Sequence, residues 1–286
     1  MWYTLPAEIG TRPITVIGGG TLGRRIALML SLRGAEIRIF DTNLDVARAA
    51  VEFIEQERPA VAASFDGAPA GELTTSDDLA AALRGAWLVV EAVPEKLELK
   101  KKIFADLDRL AEPDAILASN SSSFATAEFM DGVNSPERVL NMHFYMPPAA
   151  RSVELMSSTS TDPRIFDLLT AELPRYALVP HLVREQSTGF IFNRIWAAIK
   201  RESLAVVAEG VAEPEDIDAL FADLFKADAA PFRFMDQVGL DVVLDIENHY
   251  SELEGRPNKV APLLQEYIDK GWLGVKSGRG FYNDYA

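Results

Sequence analysis

The feature that most constrains this chain is a short apolar run, Ile14-Thr15-Val16-Ile17, that passes without a spacer into Gly18-Gly19-Gly20-Thr21-Leu22-Gly23 and then into an amphipathic stretch. A strand, a glycine turn and a helix in that order open a doubly wound α/β sheet that binds a dinucleotide. Gly18 permits the tight turn, Gly20 leaves bare backbone for a pyrophosphate, and Gly23 lets helix and strand pack closely. Thr21 and Leu22 begin the helix, whose free N–H groups and positive dipole end favour an anion without a side-chain cation. The same glycines also serve as a plain strand-to-helix turn, so a second feature has to decide. Asp41 closes the next apolar run, Ile37-Arg38-Ile39-Phe40. An acid there accepts from both ribose hydroxyls and repels a 2′-phosphate, which points to NAD rather than NADP. Thr42 and Asn43 leave a mixed preference open, and Asp41 is also suited to cap the next helix.

The rest of the first half continues that pattern. Apolar runs at 36–40, 87–91, 115–119, 139–143, 152–156 and 177–182 read as strands, and those at 22–33, 44–57, 77–83 and 97–110 carry helical spacing. Gly34 reads as a helix stop, and Ser160, Thr161 and Asp162 offer caps for a further helix. The alanine-rich stretch 59–72 reads as a surface excursion. Beyond 184 the strand-like runs stop and helical periodicity continues, at 189–209, 213–225, 240–252 and 260–270. The expected architecture is a Rossmann-type doubly wound sheet over 1–184, followed by a smaller all-helical domain over 185–286.

Composition narrows the function. The chain of 286 residues has no Cys, which removes thiolate chemistry, disulfides and cysteine-ligated metals. Its net charge of −15 opposes binding to nucleic acid or to an anionic membrane. Residues 1–8 have no basic segment followed by an apolar one, and no apolar run is long enough to span a bilayer, so the expected location is the cytoplasm.

His143 ends the run Val139-Leu140-Asn141-Met142, which delivers it to the carboxyl edge of the sheet where ligands of such folds bind. A lone His in a strand is more often structural, but Glu154 on the following strand gives it a carboxylate partner. That makes a base–orienter pair: the carboxylate fixes the tautomer and leaves the other ring nitrogen as a proton acceptor, with an ordinary pKa of about 6.5. His181 and His249 lack such a partner by spacing and read as structural. Ser119-Asn120-Ser121-Ser122-Ser123 lies at the same edge, where Ser123 or Thr126 also suits a helix cap and an earlier serine can face a ligand. Asn193 opens the helical half.

Together these residues resemble the L-3-hydroxyacyl-CoA dehydrogenase family over nearly the whole chain. The resemblance runs through Gly18 to Gly23 with Asp41, Val90-Glu91-Ala92-Val93-Pro94-Glu95, Ser119 to Ser123, and His143 with Glu154. It continues through Gly189-Phe190-Ile191-Phe192-Asn193-Arg194, Pro231-Phe232, Asp236-Gln237-Val238-Gly239-Leu240-Asp241 and Gly274-Val275-Lys276-Ser277-Gly278-Arg279-Gly280-Phe281-Tyr282. It implies an NAD-dependent oxidoreductase of fatty acid metabolism that needs no metal, acts on a small-molecule substrate and pairs into a homodimer. His143 is then the general base, Glu154 its partner, and Ser122 and Asn193 the groups that hydrogen-bond the reacting substrate. Asn120, Glu95, Lys100 and Lys276 match positions around the cofactor, while Lys101 and Lys102 read as a solvated helix face.

Three departures bear on the substrate. His143-Phe144-Tyr145-Met146-Pro147 puts a thioether where the family has a cofactor-contacting Asn, and the interval from His143 to Glu154 is one residue shorter. The family's long lysine-rich arm after the second strand, which holds coenzyme A phosphates, is shorter here and has no Lys from Asp41 to Thr75. It carries Asp45, Glu52, Glu55, Glu57, Asp66 and Glu72 instead, which oppose a phosphate. A 3-hydroxyacyl-CoA is the default substrate. A free 3-hydroxy acid, as in the related L-gulonate and L-carnitine dehydrogenases, is the alternative, with Arg151 or Arg194 to meet its carboxylate. A catalytically idle protein like the related lambda-crystallins is a third reading, against which the retained His143 and Glu154 stand.

Overall fold

The computed structural model describes residues 3–63, 69–227, 230–253 and 255–285. It forms two compact units, Met1–Ile191 and Phe192–Ala286. The first contains β1 (Ile14–Ile17), α1 (Thr21–Leu30), β2 (Ile37–Phe40), α2 (Leu44–Ala62), β3 (Leu73–Ser76), α3 (Leu79–Leu83) and β4 (Leu88–Glu91), then α4 (Leu97–Leu110), β5 (Ile116–Ser119), β6 (Val139–Phe144), β7 (Ser152–Ser157), α5 (Pro163–Glu172) and β8 (Val179–Val183). One sheet in the order β3-β2-β1-β4-β5-β6-β7-β8 joins them, parallel throughout except where β6 meets β7. This is the Rossmann-type doubly wound order, and the chain reverses direction across the sheet between β1 and β4, where a crevice opens at the carboxyl ends.

The inner strands β1, β2, β4 and β5 are short and largely apolar because both faces are covered. Alternate residues feed two cores: Ile14, Val16, Leu88, Val90, Ile116 and Ala118 point to one face, and Ile17, Val89, Leu117 and Val139 to the other. Registers place Ile17, Glu91, Ser119 and Asn141 in one row across β1, β4, β5 and β6, so buried polar side chains gather toward the carboxyl edge of β4, β5 and β6.

Several details differ from the sequence expectation. Helix α1 stops at Leu30 with Ser31 as its last cap, three residues short of the expected end, and Gly34 lies beyond it. Helix α2 runs through Pro59 to Ala62, so the first part of the stretch expected as an excursion is helical; Asp66 lies outside the described residues. Asn43, not Asp41, caps α2, accepting from the Asp45 amide. Asp162 caps α5 as expected, accepting from the Arg164 amide. The segment 185–191 goes with the first unit because it is tied to β7: the Ile191 amide donates to Glu154 and the Ser187 amide to the Met156 sulfur. Helix α6 accordingly starts at Phe192 rather than at Gly189.

The second unit is helical: α6 (Phe192–Ala208), α7 (Pro214–Phe225), α8 (Pro231–Val238), α9 (Leu240–Leu253) and α10 (Ala261–Asp269). Leu204, Phe232, Met235, Leu240, Val243, Leu264 and Phe281 form its core. Asp236 is fully buried there and accepts from the amides of Phe281 and Tyr282 and from the Tyr285 hydroxyl. Burial raises its carboxyl above the ordinary range despite those donors. A Cβ on Gly280 would stand 2.0 Å from the Asp236 carboxylate, which explains why this tail motif needs its glycine. No described helix is long and apolar enough to cross a membrane.

Candidate active site

The glycine turn has the shape its sequence requires. Gly18 has φ +102°, and a Cβ there would lie 2.8 Å from the Ala92 carbonyl oxygen. A Cβ on Gly23 would meet the Gly18 carbonyl oxygen at 1.8 Å, so the first turn of α1 seats directly on the loop. At Gly20 a Cβ would meet nothing within 4 Å, which marks the open side. Gly20 is also the N-cap of α1 and contributes no side-chain acceptor, and no acid lies in the first turn that holds Thr21 and Leu22. The helix therefore presents uncapped N–H groups to open space, the arrangement that takes a phosphate.

Asp41 ties this loop to β2. Its Oδ2 accepts from the Gly19 amide at 2.9 Å and its Oδ1 from the Asn43 amide at 2.9 Å. A carboxylate offers about four acceptor sites, so two remain for ribose hydroxyls. The residues thus fit NAD on both the phosphate and the ribose side.

Next along the edge, a buried ionic network joins β4, α4 and β5. Lys100 is 1% exposed, and its ammonium reaches Glu91 Oε1 at 2.9 Å, Glu91 Oε2 at 3.1 Å and Glu95 Oε2 at 3.0 Å. Three donors meet three carboxylate oxygens, so Lys100 has none left for a ligand and bears on the edge through Glu95. The sequence resemblance put Lys100 beside the cofactor; its side chain is buried against Glu91 and Glu95. Ser119 donates to Glu91 Oε2 at 2.6 Å, and Glu95 Oε1 receives the Ser121 hydroxyl at 2.5 Å and the Ser123 amide at 2.9 Å. Burial works to raise the Glu95 carboxyl, but Lys100 and these donors outweigh it and hold the group below its ordinary range.

The serine loop is shaped by that network rather than by a helix cap. Ser121 accepts from the Phe124 amide, and the following 3₁₀ turn, Thr126–Phe129, starts at Ala125, so neither Ser123 nor Thr126 caps it. Ser122 is exposed between two tethered neighbours. Asn120 is turned into the sheet, where its Oδ1 accepts from the Phe144 amide at 2.8 Å.

His143 and Glu154 are directly opposed in the antiparallel pair of β6 and β7. His143 Nδ1 lies 3.4 Å from Glu154 Oε2, with both side chains nearly buried. The imidazole stacks on Phe190 at 4.7 Å and meets the edge of Tyr145 at 4.7 Å. Glu154 also accepts from the Ile191 amide at 2.9 Å and from the Tyr145 hydroxyl at 2.5 Å. Burial first, then the bond to Glu154, pushes the Tyr145 hydroxyl far above its ordinary pKa. Sequence spacing identified the His–Glu pair but not Tyr145, whose hydroxyl reaches Glu154 only because the strands are antiparallel. His181 is the register neighbour of Glu154 on β8, with an exposed side chain.

In the second unit Asn193 stands in the first turn of α6, half-buried. Lys276 is paired with the Asp241 carboxylate. No group of three or more His, Asp or Glu among the described residues is placed to hold a metal.

The comparisons with known proteins agree with this edge. Residues 13–185 match the family model for the NAD binding domain of 3-hydroxyacyl-CoA dehydrogenase, and residues 189–284 match the model for its C-terminal domain. A probable 3-hydroxybutyryl-CoA dehydrogenase of Bacillus subtilis is 32% identical over 95% of this chain and 97% of its own length. A 5-formyl-3-hydroxy-2-methylpyridine 4-carboxylate 5-dehydrogenase of Mesorhizobium japonicum is 28% identical over 95% of this chain and 90% of its own. Among solved structures, a diketoreductase that acts on dicarbonyl compounds superposes with a TM-score of 0.84 at 32% identity, covering 96% of this chain and 99% of its own. The (S)-3-hydroxybutyryl-CoA dehydrogenase of Ralstonia eutropha gives 0.82 at 26% identity, covering 95% and 98%. With both family domains matched and a relative 32% identical over nearly its whole length, the chain belongs to the 3-hydroxyacyl-CoA dehydrogenase family of NAD-dependent oxidoreductases.

Proposed function

We propose that the protein interconverts an L-3-hydroxyacyl group and its 3-oxo form, with His143 as general base and Glu154 as its orienter. The observation that carries this reading is the buried His143–Glu154 contact at the carboxyl edge of β6. With Nδ1–H directed at Glu154, Nε2 keeps its lone pair and takes the hydroxyl proton of the substrate. NAD, held by the glycine turn and Asp41, would supply the acceptor for the hydride that leaves C3. In the opposite direction the imidazolium returns its proton to the 3-oxo oxygen, and Glu154 stabilises the charged ring while it lasts. Phe190 and Tyr145 hold the ring plane and keep bulk water from it. Ser122 is a group that hydrogen-bonds the reacting oxygen in this reading, and Glu95 and Asn120 serve the cofactor; for Asn193 and Lys276, in the second unit, the substrate and cofactor roles are those that the family resemblance implies. Lys100 keeps Glu95 and the serine loop in place. The domain assignment follows: 1–184 for the cofactor, 185–286 for substrate and dimerisation, in a cytoplasmic homodimer of fatty acid metabolism.

An acyl-CoA is the default substrate by family. One observation favours a carrier without CoA: exposed Glu52, Glu55 and Glu57 line α2, and that helix has no Lys to meet a nucleotide phosphate. The similarity to a pyridine carboxylate dehydrogenase and to a diketoreductase runs the same way. Measuring kcat/KM for NADH oxidation with acetoacetyl-CoA against free 3-oxo acids separates the two. A free acid turned over at least as well as the thioester assigns the second carrier. Failure of every 3-oxo compound, with NADH bound, would overturn the dehydrogenase reading itself.

A further inference from the structure

Glu154 serves two donors on one oxygen. Its Oε1 takes the Ile191 amide, while Oε2 is shared between the Tyr145 hydroxyl at 2.5 Å and His143 Nδ1 at 3.4 Å. The first distance belongs to the short, charge-assisted class of hydrogen bonds, and the second is longer than the usual N–H···O range. The negative charge that ought to steer the imidazole is therefore spent mainly on a phenol. Phe190 stacks on the ring and Tyr145 meets it at 67°, so both pack against the imidazole.

We infer that Tyr145 is a positioning residue that sets the basicity of His143 by competing with the imidazole for Glu154 Oε2. The inference takes its catalytic meaning from the base role of His143 proposed above. A carboxylate relieved of the phenol would bond the imidazolium more strongly and raise its affinity for the proton. With the phenol in place the ring gives up its proton more readily, which favours a base that must be neutral before each oxidation. The hydroxyl remains a donor throughout the working range, since its own titration is displaced far upward.

Other titratable groups on neighbouring elements are few. His181 on β8 shares the sheet face of Glu154 and is exposed. Glu128 on the 3₁₀ turn beside β6 has its Oε1 on the Ala125 amide. Arg151, Arg184 and Glu185 flank β7 and β8 at exposed positions. Glu154 and Tyr145 are in contact with the ring.

The test is an NMR titration of the imidazole Cε1–H signals in histidine-labelled protein. The chain has 3 His, so the His143 signal is the one missing from His143→Gln. Tyr145→Phe keeps the aromatic edge and removes the hydroxyl; it should raise the His143 midpoint by about half to one pH unit, the scale of one hydrogen bond. Tyr145→Leu, which removes the same hydroxyl without the ring, should move the midpoint in the same direction if the Phe variant does not fold. In a Glu154→Gln background Tyr145→Phe should leave the midpoint where it is. An unmoved or lowered midpoint in the single variant, or an equal shift without Glu154, overturns the assignment. The titration needs no turnover, so it stands apart from the base reading, whose failure would appear instead as unchanged activity in His143→Gln.

Discussion

His143→Gln is expected to lower turnover by about 10²- to 10⁴-fold in both directions, the scale on which a positioned general base contributes. Gln fills similar space and keeps a polar end toward Glu154, but its amide has no basic nitrogen at the Nε2 position. NAD binding should persist, because Asp41 and the glycine turn are built from β1, α1 and β2 and draw nothing from β6. Steady-state kinetics with acetoacetyl-CoA and NADH, together with a fluorescence titration of NADH, read the two quantities separately. A loss confined to turnover places His143 in the chemistry. Turnover equal to that of the wild type removes it, and with it the mechanism proposed above.

The second large effect is on stability. Lys100→Met should destabilise the first unit by about 3–5 kcal/mol, the usual result of removing one partner from a buried ion pair. Met matches the length of the lysine stem, so the loss is not one of packing. It leaves Glu91, fully buried, with a charge that among the described residues Ser119 and the Val93 amide address. The pH dependence identifies the cause. In the variant the uncompensated carboxyls are pushed above their unfolded values, and a group of that kind contributes stability that is fully present in acid and lost as pH rises. The deficit measured by thermal unfolding should therefore shrink between pH 7 and about pH 4. A deficit that is constant over that range would mean that the loss comes from packing. Activity should fall as well, since Glu95 would lose the cation that holds it toward Ser121 and Ser123.

These two residues also show how far the sequence carries. The glycine turn, the place of Asp41 after β2 and the closeness of His143 to Glu154 were legible because each rests on local order or on adjacent strands: Gly18, Gly20 and Gly23 are one turn, and His143 and Glu154 lie across one bend. Lys100 was legible as important but not as buried, because its carboxylate partners sit on β4 and in the loop after it, and no periodicity relates them to α4. Tyr145 was just another aromatic residue until the antiparallel register brought its hydroxyl to Glu154. Among the elements, β3 was missed because Leu73-Thr74-Thr75-Ser76 is only half-buried at the edge of the sheet and lacks the apolar run that marked the central strands. Helix α8 was missed because eight residues between Pro231 and Val238 are too few to show a period. The start of the first helix of the second half was set too early because 185–191 has no helix or strand of its own and is held by tertiary bonds to β7, so the helix begins at Phe192.

The account turns on one arrangement, an imidazole steered by a carboxylate and facing the carbon that exchanges hydride with NAD. A crystal structure of the protein with NAD and an unreactive analogue of the best 3-hydroxyacyl substrate measures it directly. The account predicts the dinucleotide pyrophosphate over Gly20 and the amino end of α1, and His143 Nε2 about 2.6–3.2 Å from the substrate oxygen. A substrate oxygen bound out of reach of His143, with the dinucleotide seated as described, would contradict it.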